Sequence, residues 1–141
     1  MRRIAPIVAL LAVALLSGCG CGDDRAPSSI DIDLTDPLAA GTYSFTVCVD
    51  DECTQFTDVP ANGEESVGGM DYLNITDDAI HYYTFHAIAP GQHHLNVTLA
   101  NTDGTALSFD GDLDFEQVDR CHRTDSRVTL NEDQLTAGVG N

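Results

Sequence analysis

Between Asp110 and Glu116 the chain alternates carboxylates with uncharged residues: Asp110, Asp112, Asp114 and Glu116 are separated by Gly111, Leu113 and Phe115. Successive side chains of an extended strand point to opposite faces, so all four carboxylates would share one face, with ~6.5–7 Å between successive Cα atoms of that face. Calcium takes six to eight oxygen ligands. This run is therefore the candidate calcium site, provided that a second acidic pair, Asp50-Asp51 or Asp77-Asp78, adds oxygens. It is not an EF-hand. That loop wants Gly at its sixth position and Glu at its twelfth, and counting from Asp110 those positions hold Phe115 and Cys121. The competing reading is a solvated strand face whose charges discourage edge pairing. No other cofactor is implied.

The five histidines are His81, His86, His93, His94 and His122. His93 and His94 are adjacent and point to opposite faces of a strand. His81 and His86 also diverge, so no close-spaced zinc or copper cluster emerges. Catalytic signatures are absent from the sequence. There is no G-x-S-x-G, no H-E-x-x-H and no S-x-x-K, and the chain contains no lysine at all. No P-loop or dinucleotide glycine motif occurs. The expectation is a binding or structural module without enzyme activity. A small envelope hydrolase is the rival class, and converging histidines and carboxylates in a deep pocket would favour it.

Cys48 and Cys53 flank Asp50-Asp51 in a segment rich in strand residues. A two-residue turn at Asp50-Asp51 places Val49 opposite Glu52, Cys48 opposite Cys53, Val47 opposite Thr54, Thr46 opposite Gln55 and Phe45 opposite Phe56. The pair one step back from the turn is not hydrogen-bonded to its partner, and its Cα atoms lie ~4.5 Å apart, within disulfide range. This predicts a Cys48–Cys53 disulfide and leaves Cys21 and Cys121 free or paired with each other.

The N-terminus accounts for the fifth cysteine. Arg2 and Arg3 precede an uncharged, mostly apolar run from Ile4 to Leu16, followed by Ser17, Gly18 and Cys19. A membrane-spanning helix needs ~20 apolar residues, so the run is too short to span and fits the hydrophobic region of a signal peptide. Leu16-Ser17-Gly18-Cys19 resembles the lipobox of bacterial lipoproteins. That resemblance covers only the first 20 or so residues. It implies cleavage before Cys19, a diacylglycerol on its thiol, and a domain held by lipid at the cell membrane or outer membrane, outside the cytoplasm. The expected organisation is a signal peptide over 1–18, a lipidated cysteine and flexible tether over 19–28, and one domain over 29–141.

After Cys19 the chain has no lysine and only Arg25, Arg120, Arg123 and Arg127, and these four arginines against 23 carboxylates give a formal net charge of −19. Such a surface repels nucleic acid and anionic head groups. It suits a soluble, aggregation-resistant surface and a basic or neutral envelope partner.

Strand signals recur along this domain. Ile30, Ile32 and Leu34 alternate with Asp31 and Asp33; Tyr43, Phe45, Val47 and Val49 share one face; residues 80–87, 93–99, 107–109, 113–115 and 127–130 repeat the pattern. Pro90-Gly91 fits a type II turn. Residues 60–69 read as a polar loop and 131–141 as a polar tail frayed at its end. Eight or nine short strands with turns between them and no helical period predict an all-β fold, an antiparallel β-sandwich of immunoglobulin-like architecture.

Overall fold

The computed structural model of the protein describes residues 27–102, 104–118 and 126–139. The expected signal segment, Cys19, most of the expected tether, Cys21, Cys121 and His122 lie outside the described residues. What is described is almost all β. In chain order the strands are β1 (Ser28–Asp33), β2 (Thr42–Val49), β3 (Glu52–Pro60), β4 (Glu64–Val67), β5 (Asp71–Ile75), β6 (Ala79–Thr84), β7 (Gly91–Asn101), β8 (Thr105–Gln117), β9 (Ser126–Asn131) and β10 (Thr136–Val139). A single 3-10 turn, Glu132–Gln134, precedes β10.

Hydrogen bonding orders the strands β3-β2-β7-β8-β9-β1-β6-β5-β4, with β10 added on β8. The two ends of this path, β3 and β4, come into contact, so the sheet is nearly closed and barrel-like. Closure is made possible by β8. Residues Ala106 to Phe115 pair with β7, and the last two, Glu116 and Gln117, pair with β9. One long strand thus passes from one half of the sheet to the other.

Four expectations are corrected. The described residues hold ten strands, not eight or nine. Residues 64–67 form β4, an exposed strand whose Glu-Glu-Ser-Val sequence lacks alternation because neither of its faces is buried. Residues 136–139, read as part of a polar tail, form a strand that pairs with β8. The sheet is mixed, because β1 runs parallel to β9 from Ser29↔Arg127 to Asp33↔Asn131. Parallel neighbours need a long crossover, and here the connection is nearly the whole domain, a separation that local patterning does not encode. β1 begins at Ser28, which is fully buried.

The β2–β3 hairpin has the register its sequence predicts, from Phe45↔Phe56 through Cys48↔Cys53 to Val49↔Glu52. Cys48 and Cys53 are disulfide-bonded, with Cα atoms 4.0 Å apart. A bulge follows between Tyr43 and Phe45, where Asp58 takes φ +56° and the register advances by one residue.

The core follows from alternation. Tyr43, Phe45 and Val47 of β2 point inward with Leu95, Val97 and Leu99 of β7. They meet Ile30 and Ile32 of β1 and Ile80 and Tyr82 of β6 from the opposite half. Three rings join the halves: Phe45 and Phe56 lie 6.3 Å apart, and Tyr82 packs 6.3 Å and 6.1 Å from them. Phe56 is 1 % exposed. Phe56→Ala is therefore expected to cost about 3–5 kcal/mol, read as a lowered urea midpoint at unchanged slope. A loss under about 1 kcal/mol would mean that this ring cluster does not join the halves.

Candidate functional site

One mouth of the barrel is bounded by the β2–β3 turn, the start of β7, and the segment 85–90 after β6. At that mouth lies a cleft of about 260 Å³. Val47 and Val49 form one wall, Ile88 another, and Asp71 and Tyr82 the inner end. The inner end is polar but buried. The Tyr82 hydroxyl donates to Asp71 Oδ1 at 2.7 Å, and Asp71 is 6 % exposed. Burial, and next the neighbouring Asp71 carboxylate, push the Tyr82 phenol well above its ordinary range. Asp71 Oδ2 faces His86 Nε2 at 3.6 Å, beyond hydrogen-bond distance. The cleft floor is braced by a buried serine network. The Ile88 and Ser126 amides donate to Ser28 Oγ, each at 3.2 Å, and Ser126 Oγ donates to the Ile88 carbonyl at 2.7 Å. This places the first residue of β1 beside the cleft.

The mouth itself is held by Asp50. Its φ of +54° has a sign that L-residues seldom adopt. Three contacts fix it to β7. The Asp50 amide donates to the His94 carbonyl at 2.7 Å, the His94 amide donates to Asp50 Oδ1 at 3.1 Å, and His93 Nδ1 lies 2.8 Å from Asp50 Oδ2. His93 Nε2 lies 2.6 Å from the Ala89 carbonyl, and its ring packs edge-on against Phe115. Both ring nitrogens of His93 therefore face acceptors, an arrangement only the doubly protonated imidazolium satisfies.

His94 repeats the pattern on the outer face. Its Nδ1 lies 2.8 Å from Asp112 Oδ1 and its Nε2 2.6 Å from Asp110 Oδ1. The register explains the fork, since Asp112 is directly opposite His94 and Asp110 one step further along that face. His93 turns inward and His94 outward, as adjacency on a strand predicts. On β6, His81 meets Asp31 of β1 at 2.7 Å across the strand pair and stacks on Tyr83. The ion pairs among the described residues all join a histidine to an aspartate. The one described Lys or Arg side chain is Arg127.

The acidic run does lie on one exposed face, with Asp110, Asp112, Asp114 and Glu116 outward and Phe115 buried. Asp110 and Asp112 are taken up by His94. Glu116 stands opposite Arg127. Of the supporting pairs, Asp50 reaches the same stretch of β7, whereas Asp77 and Asp78 belong to the β5–β6 turn in the other half. Among the described residues no group of three or more His, Cys, Asp or Glu side chains is placed to hold a metal ion. Among them, too, no helix is long and apolar enough to cross a membrane. The cleft residues Asp71, Tyr82 and His86 carry no spacing signal in the sequence, because they meet only when β5, β6 and the following segment reach the barrel mouth. No protein-family model, curated protein or solved structure matches the chain.

The pairs set a pH dependence whose sign is fixed. Contact with Asp50 raises His93 above its ordinary 6.5. Contact with Asp112, then Asp110, raises His94 above the same value. Their stabilisation is complete below pH 6.5 and is lost as pH rises through the raised folded values. The His93 side chain, then the His94 amide, lowers Asp50 below its ordinary 3.8. Its contribution is present above that value and is lost as pH falls through the lowered one. Thermal melts should therefore show greatest stability between pH 4 and 6.5 and a falling melting temperature from there to pH 8. Relief of general repulsion also favours low pH, so the control is His93→Gln with His94→Gln. The double variant should flatten the alkaline slope; an unchanged slope would contradict the pairing.

Proposed function

We propose that the protein is a lipid-anchored module of the bacterial envelope. A diacylglycerol on Cys19 holds it at the membrane, and its acidic domain binds a basic or neutral partner without turning over a substrate. The observation that carries the reading is charge without lysine or arginine to balance it. Exposed Asp50, Glu64, Asp110, Asp112 and Asp114 face solvent around a described surface whose sole guanidinium is Arg127. Such a field steers cationic partners and repels nucleic acid. Anchoring raises local concentration, so modest affinity suffices. The same reading takes the folded-over sheet as a variant of the antiparallel, immunoglobulin-like sandwich, supported by the Phe45–Phe56–Tyr82 contact between halves.

Two measurements test it. Cys19→Ser should leave an unprocessed protein that no longer partitions into detergent, whereas the native N-terminal peptide should carry the mass of its lipid. An unmodified Cys19, or a mature N-terminus elsewhere, would refute the anchor. Pull-down from envelope extract should retain a partner at low salt and lose it at high salt, since exposed charges are screened within ~3 Å at 1 M. Retention independent of salt would refute the electrostatic reading. So would hydrolysis of a substrate abolished by His86→Ala.

A further inference from the structure

Among the described residues, Asp71 Oδ2 is a buried carboxylate oxygen that accepts no hydrogen bond. The residue is 6 % exposed and lines the cleft. Its other oxygen is committed to Tyr82. The side chain it faces, His86, stands 3.6 Å away, beyond hydrogen-bond distance, and is 64 % exposed. A buried carboxylate without donors is costly and is stabilised by a charged partner. We propose that this cleft binds the ammonium end of a lysine side chain presented by a basic partner, with Asp71 Oδ2 receiving the charge. The inference rests on the reading of the domain as a module for basic partners and names the group recognised.

Three features select an ammonium over a guanidinium. One oxygen without a hydrogen bond suits a point charge; the planar arginine fork seeks two parallel acceptors. The Thr54 and Thr84 hydroxyls line the same cleft beside the Tyr82 phenol; Thr84 Oγ1 accepts the His86 amide at 3.0 Å, and each hydroxyl oxygen has a second lone pair for a further N–H. Val47, Val49 and Ile88 offer apolar walls along which a four-carbon stem can lie. A volume of about 260 Å³ accommodates that stem with room for water. Asp50 and Glu52 at the mouth add the attracting field. A protein lysine is favoured over a lipid amine because the net charge of −19 opposes approach to an anionic bilayer surface.

The test is an amide NMR titration of the full chain with Nα-acetyl-lysine N-methylamide at constant ionic strength, beside the matched arginine compound. Saturable shifts confined to Asp71, Thr84 and His86 are expected, with the arginine compound weaker. Asp71→Asn should weaken binding roughly tenfold or more, the scale of one charge-assisted hydrogen bond. Should that variant fail to fold, Ala87→Phe on the exposed lip should block the same shifts, and His86→Ala should leave them intact. Unsaturable shifts spread equally over Asp110 and Asp112, equal binding of the arginine compound, or binding unaffected by Asp71→Asn would overturn the assignment. So would binding to phosphatidylethanolamine vesicles without response to the lysine compound. Salt-sensitive capture of a basic partner that persists in Asp71→Asn would remove the cleft assignment and leave the electrostatic reading standing.

Discussion

The described fold turns on Asp50. A non-glycine residue at φ +54° costs on the order of 1 kcal/mol or more, and it is held there by both backbone and side chain against His93 and His94. That turn fixes the hairpin register. The register in turn sets Cys48 against Cys53 and Phe45 against Phe56. A slip of one residue would turn every inward side chain of β3 outward, and the ring cluster that joins the two halves would be lost. The same turn is the rim of the cleft, so the element that orders the core also shapes the site.

The contacts that hold the turn depend on a charge that the chain supplies in an uncommon way. With Arg127 as the one described guanidinium and no lysine anywhere, histidine takes the role of counter-cation. An imidazolium is a rigid, two-donor cation, and at His93 and His94 both donors are used. His93 joins the turn to the Ala89 carbonyl, and His94 gathers two carboxylates of β8 over the outer face of β7. The outer acidic run is thus organised by one ring. The buried Asp71, by contrast, has its phenol partner on one oxygen and, toward the cleft, only the exposed His86 at 3.6 Å on the other.

Much of the strand content was legible because alternation is local. The β2–β3 register followed from apolar residues sharing one face and two cysteines flanking an Asp-Asp turn. The outward face of Asp110 to Glu116 followed from the same period, as did the opposed directions of His93 and His94. What was not legible is what depends on distant partners. β4 pairs along a surface with neither face buried, so its four residues lack a pattern. The parallel β1–β9 pair joins opposite ends of the domain. The cleft is assembled from β2, β3, β5, β6 and β7, and Asp71 looks like any other of 23 carboxylates until Tyr82 is brought to it.

The central claim is that imidazolium rings pin the Asp50 turn and the outer acidic face. Side-chain ¹⁵N NMR followed through a pH titration tests it most directly, because it reports the protonation of each ring nitrogen separately. The account predicts that His93 and His94 both keep protons on Nδ1 and Nε2 to higher pH than a free imidazole, with coupling across the Asp50 and Asp112 contacts. Deprotonation of both rings in the folded protein at or below the pH of a free imidazole would contradict it.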